Sequence, residues 1–156
     1  MSKTFGEAPI GWYCRYGPSV NTRRLLIEHG GFVYDSDYYG EELPFWVSVE
    51  GHGHLVIPYS LTNNDGKLVH WMGTSDDWFS FVRDAFDMLY DEGAATPKMM
   101  SIGLHMRLIG HPARAMGLAR LLDHISARPD VWICRRSDIA RHWLAKHPYT
   151  GNGLNE

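Results

Sequence analysis

Apolar and polar positions fall into short blocks that read alternately as strand and helix along the chain. Ile10-Gly11-Trp12-Tyr13-Cys14 is a brief apolar run of the kind that forms a buried strand. Gly17-Pro18-Ser19 breaks it, and a helix is predicted from about Val20 to His29, capped by Ser19 or Asn21 and ended by Gly30-Gly31. Phe32-Val33-Tyr34 predicts a second strand that runs straight into Asp35-Ser36-Asp37. Tyr38 to His54, with Gly40, Pro44, Gly51 and Gly53, reads as irregular. A third strand is expected from His54 to Tyr59, followed by a polar loop through Asn63-Asn64-Asp65-Gly66.

The clearest helix begins near Thr74-Ser75-Asp76-Asp77, where hydroxyl and acidic side chains suit a helix start. Trp78, Val82, Ala85, Phe86 and Leu89 then form one apolar stripe at helical spacing, and Gly93 ends it. Met99 to Leu104 predicts a fourth strand ending at His105. A helix from Pro112 to about Ala127 presents Leu118, Leu121, Leu122 and Ile125 inward. Val131-Trp132-Ile133-Cys134 predicts the last strand. Ser137 opens a final helix bearing Ile139, Trp143 and Leu144, which Pro148 stops. This alternation predicts an α/β layer fold with a parallel sheet. Residues 1–8 read as an N-terminal segment, 9–148 as one body without an internal boundary, and 149–156 as a loose tail.

Charge and composition narrow the partners. A net charge of −3 across 156 residues argues against a protein that grips a phosphate backbone. No apolar run approaches the ~20 residues that span a bilayer, and the first residues lack a signal peptide's apolar core. A cytoplasmic protein is expected, with no nucleic-acid or membrane partner. Cys14 and Cys134 sit in apolar runs and are expected to be free thiols. Aromatic residues make up 13% of the chain, which suggests that part of the apolar surface meets another chain.

Polar residues gather where the predicted strands end, the place α/β sheets put their sites. Arg15 follows the first strand, Asp35 and Asp37 the second, Asn64 and Asp65 the third, His105 the fourth and Arg135-Arg136 the fifth. Each also has a plain structural reading. A strand-end histidine is often only hydrogen-bonded, an Arg–Asp pair is often a buried ion pair, and Asn-Asp-Gly is a common turn. His52-Gly53-His54 reads as loop histidines in solvent rather than metal ligands, and Arg23-Arg24 as a solvated helix face.

These residues carry a resemblance. Gly11 to Arg15 with Pro18 to Leu25 resembles the arginine-containing third motif of the polysaccharide-deacetylase superfamily. Phe32 to Asp37 with Leu43-Pro44-Phe45-Trp46 resembles the fourth. Ser101 to His105 with Arg107 to Arg114 resembles the fifth, although His111 stands where the family has arginine. Ile57-Pro58-Tyr59, Asn64-Asp65 and Cys134-Arg135-Arg136 to His142-Trp143 look like the allantoinase branch, which opens cyclic ureides and has relatives acting on imides.

The resemblance implies the C-terminal portion of a (β/α) barrel, incomplete in this chain. It implies His105 as the general acid that protonates a leaving nitrogen, and Arg15 tuning a catalytic Asp while held by Asp35. It also implies Asn64, Asp65, Trp46 and Arg107 facing the substrate. The family's Asp-Asp base pair and its two ligand histidines come from motifs that precede the arginine motif and are not matched here. No cofactor is therefore expected in this chain, and a divalent metal such as zinc, where used, would belong to the missing half. The expected partners are an N-terminal-half subunit in a heteromer, or self-association, and a small amide substrate. Ile10–Cys14 and Val131–Cys134 are then expected to be sheet edges, with Trp12 and Trp132 shielded in an interface above ~2,000 Å². A non-catalytic scaffold or regulatory remnant and a truncated fragment of a longer enzyme are the alternatives.

Overall fold

A computed structural model describes residues 6–155. The chain divides into two compact units, one built from residues up to Tyr59 together with Cys134 onward, the other from Ser60 to Ile133.

The first unit holds a sheet whose spatial order is β1-β2-β4-β3-β5. Its strands are β1 (Gly11–Trp12), β2 (Tyr34–Asp35), β3 (Phe45–Val49), β4 (His52–Val56) and β5 (Leu154–Asn155). β1, β2 and β4 are parallel, with Gly11 beside Tyr34 and Asp35 beside Val56. Helix α1 (Thr22–His29) links β1 to β2 and ends on Gly30, whose φ of 73° lies in the left-handed region glycine tolerates.

The stretch expected to be irregular is instead a hairpin. β3 and β4 pair antiparallel from Phe45↔Val56 to Val49↔His52. Glu50 and Gly51 make the two-residue turn with φ of 49° and 80°, the paired positive values that match strand twist. Val47, Val49 and Val56 form a small core with Ile27 and Phe45 packed on it.

The tail expected to be loose is seated in the same unit. Leu154 and Asn155 run parallel to Val47 and Ser48, and the Tyr149 ring packs 5.5 Å from that of Trp46. Tyr149 also lies over Gly53, so closely that any Cβ there would collide with its ring. The helix α6 (Arg136–Lys146) precedes this tail.

The second unit is helical. It contains α2 (Asp65–Leu68), α3 (Ser75–Gly93), α4 (Met106–Ile109) and α5 (Pro112–Ser126). The expected start of α3 carries a full capping box: Thr74 Oγ1 accepts from Asp77 N and Asp77 Oδ2 accepts from Thr74 N. Trp78, Val82 and Phe86 from its stripe meet Leu121 and Ile125 of α5, with Leu68 and Ile109 completing the core. Gly117 lets α5 approach closely, since a Cβ there would sit 2.8 Å from Ser75 O.

Two expected strands do not form. Met99–Leu104 contributes a single bridge, Gly103 to Asn64, and Val131–Cys134 carries no ladder. The edges of the sheet are β1 and β5, and Trp132 is 59% exposed in the chain alone. The cysteines are free and partly buried. No helix among the described residues is long and apolar enough to cross a membrane.

Leu121 is fully enclosed, whereas Leu122 on the same helix is 46% exposed. Leu121→Ala is expected to lower unfolding free energy by about 2–5 kcal/mol, the range for emptying a leucine-sized space in a packed core. Leu122→Ala should change it by less than about 1 kcal/mol. Urea denaturation of the two variants checks the pair.

Candidate functional site

Each unit contains a buried carboxylate cluster, and each is built where a strand-like segment ends. In the first unit Asp35 closes β2 with no exposure to solvent. A carboxylate there cannot stay charged without compensation. Arg23, in the first turn of α1, donates from Nε to Oδ2 at 2.7 Å and from Nη2 to Oδ1 at 3.4 Å. Asp37 N donates to Oδ1 at 2.9 Å. His54, also buried, brings Nε2 to 3.1 Å from Oδ2, although the ring N–H is not aligned for a hydrogen bond. Burial pushes the Asp35 carboxyl up, but His54 and the Arg23 guanidinium outweigh it and hold it below the ordinary value.

Asp37 has the opposite balance. Its Oδ1 accepts from Cys14 N at 2.7 Å, while Oδ2 is buried without a hydrogen-bond partner. Burial raises this carboxyl, the bond from Cys14 N relieves only part of the rise, and the neighbouring Asp35 charge adds to it. Ser36, between the two acids, accepts from Arg136 Nη1, which also donates to the carbonyls of Ile57 and Pro58 at 3.0 and 3.1 Å. Arg136 thereby ties the ends of β2 and β4 together, and burial lowers its own proton affinity.

In the second unit Asp65, 4% exposed, opens α2. Its Oδ2 accepts from His105 N at 2.8 Å and its Oδ1 lies 2.6 Å from His105 Nδ1. One carboxylate thus fixes both the backbone and the ring of a half-buried histidine. With Asp65 ionised, Nδ1 carries the proton and Nε2 is the nitrogen left for chemistry. Gly66 makes room for this, since a Cβ there would meet the His105 ring at 3.0 Å.

The structure reassigns several residues. Arg15 does not hold Asp35. It is exposed, its guanidinium lies over the Tyr16 ring, and the positive φ of Tyr16 and Gly17 turns the chain just after it. Arg23, read as solvated, is the partner instead. His54, read as a loop histidine in solvent, is a β4 residue buried against Asp35. Asn64 accepts from Gly66 N and Lys67 N as the cap of α2, so its oxygen serves the helix start. Asp65 is spent on His105. Trp46 donates from Nε1 to His147 O at 2.7 Å and packs on Tyr149, within the tail contact described above. Arg107 is exposed on α4.

The pairing of Asp65 with His105 and of Arg23 with Asp35 was missed because both link residues far apart in sequence. The only advance sign was an acid in a position too apolar to leave it unpaired. Among the described residues no three His, Cys, Asp or Glu side chains stand together as a metal-holding group.

The contrasting environments of Asp35 and Asp37 predict opposite effects. Asp35, with a lowered folded value, contributes stability above its ordinary value of 3.8 and loses it as pH falls through the folded one. Asp35→Asn should cost ~3 kcal/mol or more at neutral pH, as when one partner of a buried ion pair is removed, and the cost should shrink in acid. Asp37, with a raised value, is a liability at neutral pH that protonation relieves. Asp37→Asn should leave stability unchanged or increase it. Denaturation midpoints of both variants across that pH range are the check.

Three comparisons bear on kinship. A polysaccharide deacetylase-like protein of Schizosaccharomyces pombe is 42% identical over 160 residues, covering 92% of this chain and 50% of its own length. The solved structure of a polysaccharide deacetylase-like protein of Pseudomonas aeruginosa superposes with a TM-score of 0.87 at 47% identity, over 96% of this chain and 51% of that one. A solved allantoinase superposes with a TM-score of 0.87 at 51% identity, over 96% of this chain and 50% of that one. A Mycobacterium smegmatis structure at 24% identity and a TM-score of 0.80 shares the fold. No family model matches the chain. The fold is mixed α/β with a partial sheet, that of the polysaccharide deacetylase-like proteins, and the chain spans about half the length of the relatives it matches. With 42–51% identity over nearly all its residues, this chain belongs to the polysaccharide deacetylase-like proteins, with an allantoinase among its homologues.

Proposed function

We propose that this chain supplies part of the active site of a hydrolase that opens a C–N bond of a cyclic ureide, imide or related amide. The observation that carries this reading is the Asp65–His105 pair, a histidine oriented through Nδ1 by a buried carboxylate. Its 51% identity to an allantoinase supports the substrate class. In the proposed step water oxygen bonds to the carbonyl carbon and the C–N bond breaks. The nitrogen takes a proton from Nε2 of His105 in its doubly protonated form, which returns to the Nδ1–H tautomer bonded to Asp65, and a base outside this chain removes the proton from water. Arg23, Asp35 and Asp37 keep the ends of β1 and β2 in place.

The base, and any divalent metal, belong to the half of the relatives' length that this chain does not span. The open edge of β1 is where an N-terminal-half partner would continue the sheet toward a closed barrel. A scaffold that had lost catalysis would have no need of a carboxylate committed to both the backbone and the ring of His105.

The chain by itself is expected to leave allantoin, cyclic imides and acetylated sugars intact, because a general acid without a base cannot complete hydrolysis. Turnover by a homogeneous preparation free of any other chain would overturn the two-part reading. In the completed enzyme His105→Ala should lower kcat by roughly 10²–10⁴-fold, the range for loss of a general acid or base. Asp65→Asn, which leaves the ring in place without its carboxylate, should lower kcat by about tenfold or more. Steady-state kinetics of the two variants decide whether the pair is catalytic or only structural.

A further inference from the structure

β3 reads Phe45-Trp46-Val47-Ser48-Val49, without a charge or a proline, and four of its five residues are aromatic or β-branched. Among the described residues its outer side is paired only by β5, with Leu154 beside Val47 and Asn155 beside Ser48. Side chains of the same unit hold that cover down. Trp46 Nε1 donates to His147 O at 2.7 Å, and the Tyr149 ring packs on the Trp46 ring and lies across Gly53 of β4. Two glycines give the tail its seat. A Cβ on Gly53 would collide with the Tyr149 ring, and one on Gly153 would stand 3.0 Å from Ser48 N. Neither glycine has a positive φ, so what each contributes is room.

Proteins guard an exposed strand edge by keeping it short or charged. Here the guard is a separate segment: β5 replaces a five-residue edge by one of two residues. The guarded edge is also fitted to itself. Antiparallel pairing of two β3 strands about Val47 sets Phe45 opposite Val49 and Trp46 opposite Ser48. No like charges meet, because β3 carries none. Opposed residues share a face of the sheet, so Val47 and Val49, buried in the small core, stay on the core side. Five residues in an antiparallel ladder hold more hydrogen bonds than two in a parallel one, and each parallel pair is slightly the weaker.

We propose that β3 is a strand-pairing edge for a second copy of this chain, and that residues 147–155 cover it within a single copy. Each copy must lift its own tail before it pairs, so the apparent affinity of the dimer is reduced by the open fraction of both. The proposal stands apart from the hydrolase reading and from the β1 edge, which lies at the other side of the sheet.

Gly53→Ala and Gly153→Val, made separately in the full chain, lift the tail from its two seats. The Trp46 indole N–H resonance reports whether the tail is lifted, and light scattering over a concentration series reports association. Both variants should move the Trp46 signal and lower the concentration of half-dimerisation by about tenfold or more relative to the parent chain, as removal of a closed state requires. Ser48→Lys added to either variant should reverse that gain, because a lysine on an edge opposes strand pairing, and should leave the Trp46 signal shifted. Each glycine variant is an independent test, so misfolding of one leaves the other to decide. A Trp46 signal that stays in place in both, a lifted tail without a gain in association, or association that Ser48→Lys does not reverse would overturn the proposal.

Discussion

A carboxylate without access to water sets the terms for the first unit. Asp35 ends β2, where it is enclosed by its own sheet, and an uncompensated charge there would cost more than a small domain's whole stability margin. The compensation comes from three places in sequence: the first turn of α1, the backbone at Asp37 and His54 on β4. Satisfying one side chain therefore fixes the helix, the strand exit and the hairpin relative to one another. Arg136 does the same work from the far end of the chain, with one guanidinium nitrogen shared among Ser36 and two carbonyls.

The second unit solves the same problem and obtains chemistry from it. Asp65 spends one oxygen on the His105 backbone and the other on its ring. A carboxylate that served only the ring would leave the segment free to rotate the histidine away. One that served only the backbone would leave the ring without a set tautomer. Doing both makes the direction of His105 a property of the fold. Asn64, one residue earlier, caps α2 and so fixes the position of Asp65 itself.

Much of the helical pattern was legible because it depends on neighbours three or four residues away. The stripe Trp78, Val82, Phe86, the Thr74 start and Pro112 at the first turn of α5 all stand where periodicity and capping place them. The β structure was less legible. The hairpin was hidden by Glu50, since a glutamate at positive φ is an unusual turn residue and Glu-Gly lacks the usual hairpin signature. Met99–Leu104 and Val131–Cys134 are apolar enough to read as strands, but an apolar run shows only a tendency to be buried, and pairing depends on what lies alongside. The family resemblance was legible from motifs. The partners within the site were not, as Arg15 and Arg23 show: both lie in the arginine motif, and only the turn at Tyr16 and Gly17 decides which of them meets Asp35.

That choice shows where motif reading stops and geometry takes over. A motif preserves residue types near a strand end, and several arrangements of the same types can satisfy it. Burial separates them. Arg23 retains 11% side-chain exposure and Asp35 none, so their charges interact where water screens weakly. Arg15, exposed beside Tyr16, keeps its charge hydrated and needs no partner. The same criterion separates Asp65 from Arg107, both read as substrate-facing: the buried acid has a fixed partner and a set direction, and the exposed cation has neither imposed on it. A side chain becomes specific when its surroundings remove its alternatives, and in this chain the buried carboxylates are the groups to which that has happened.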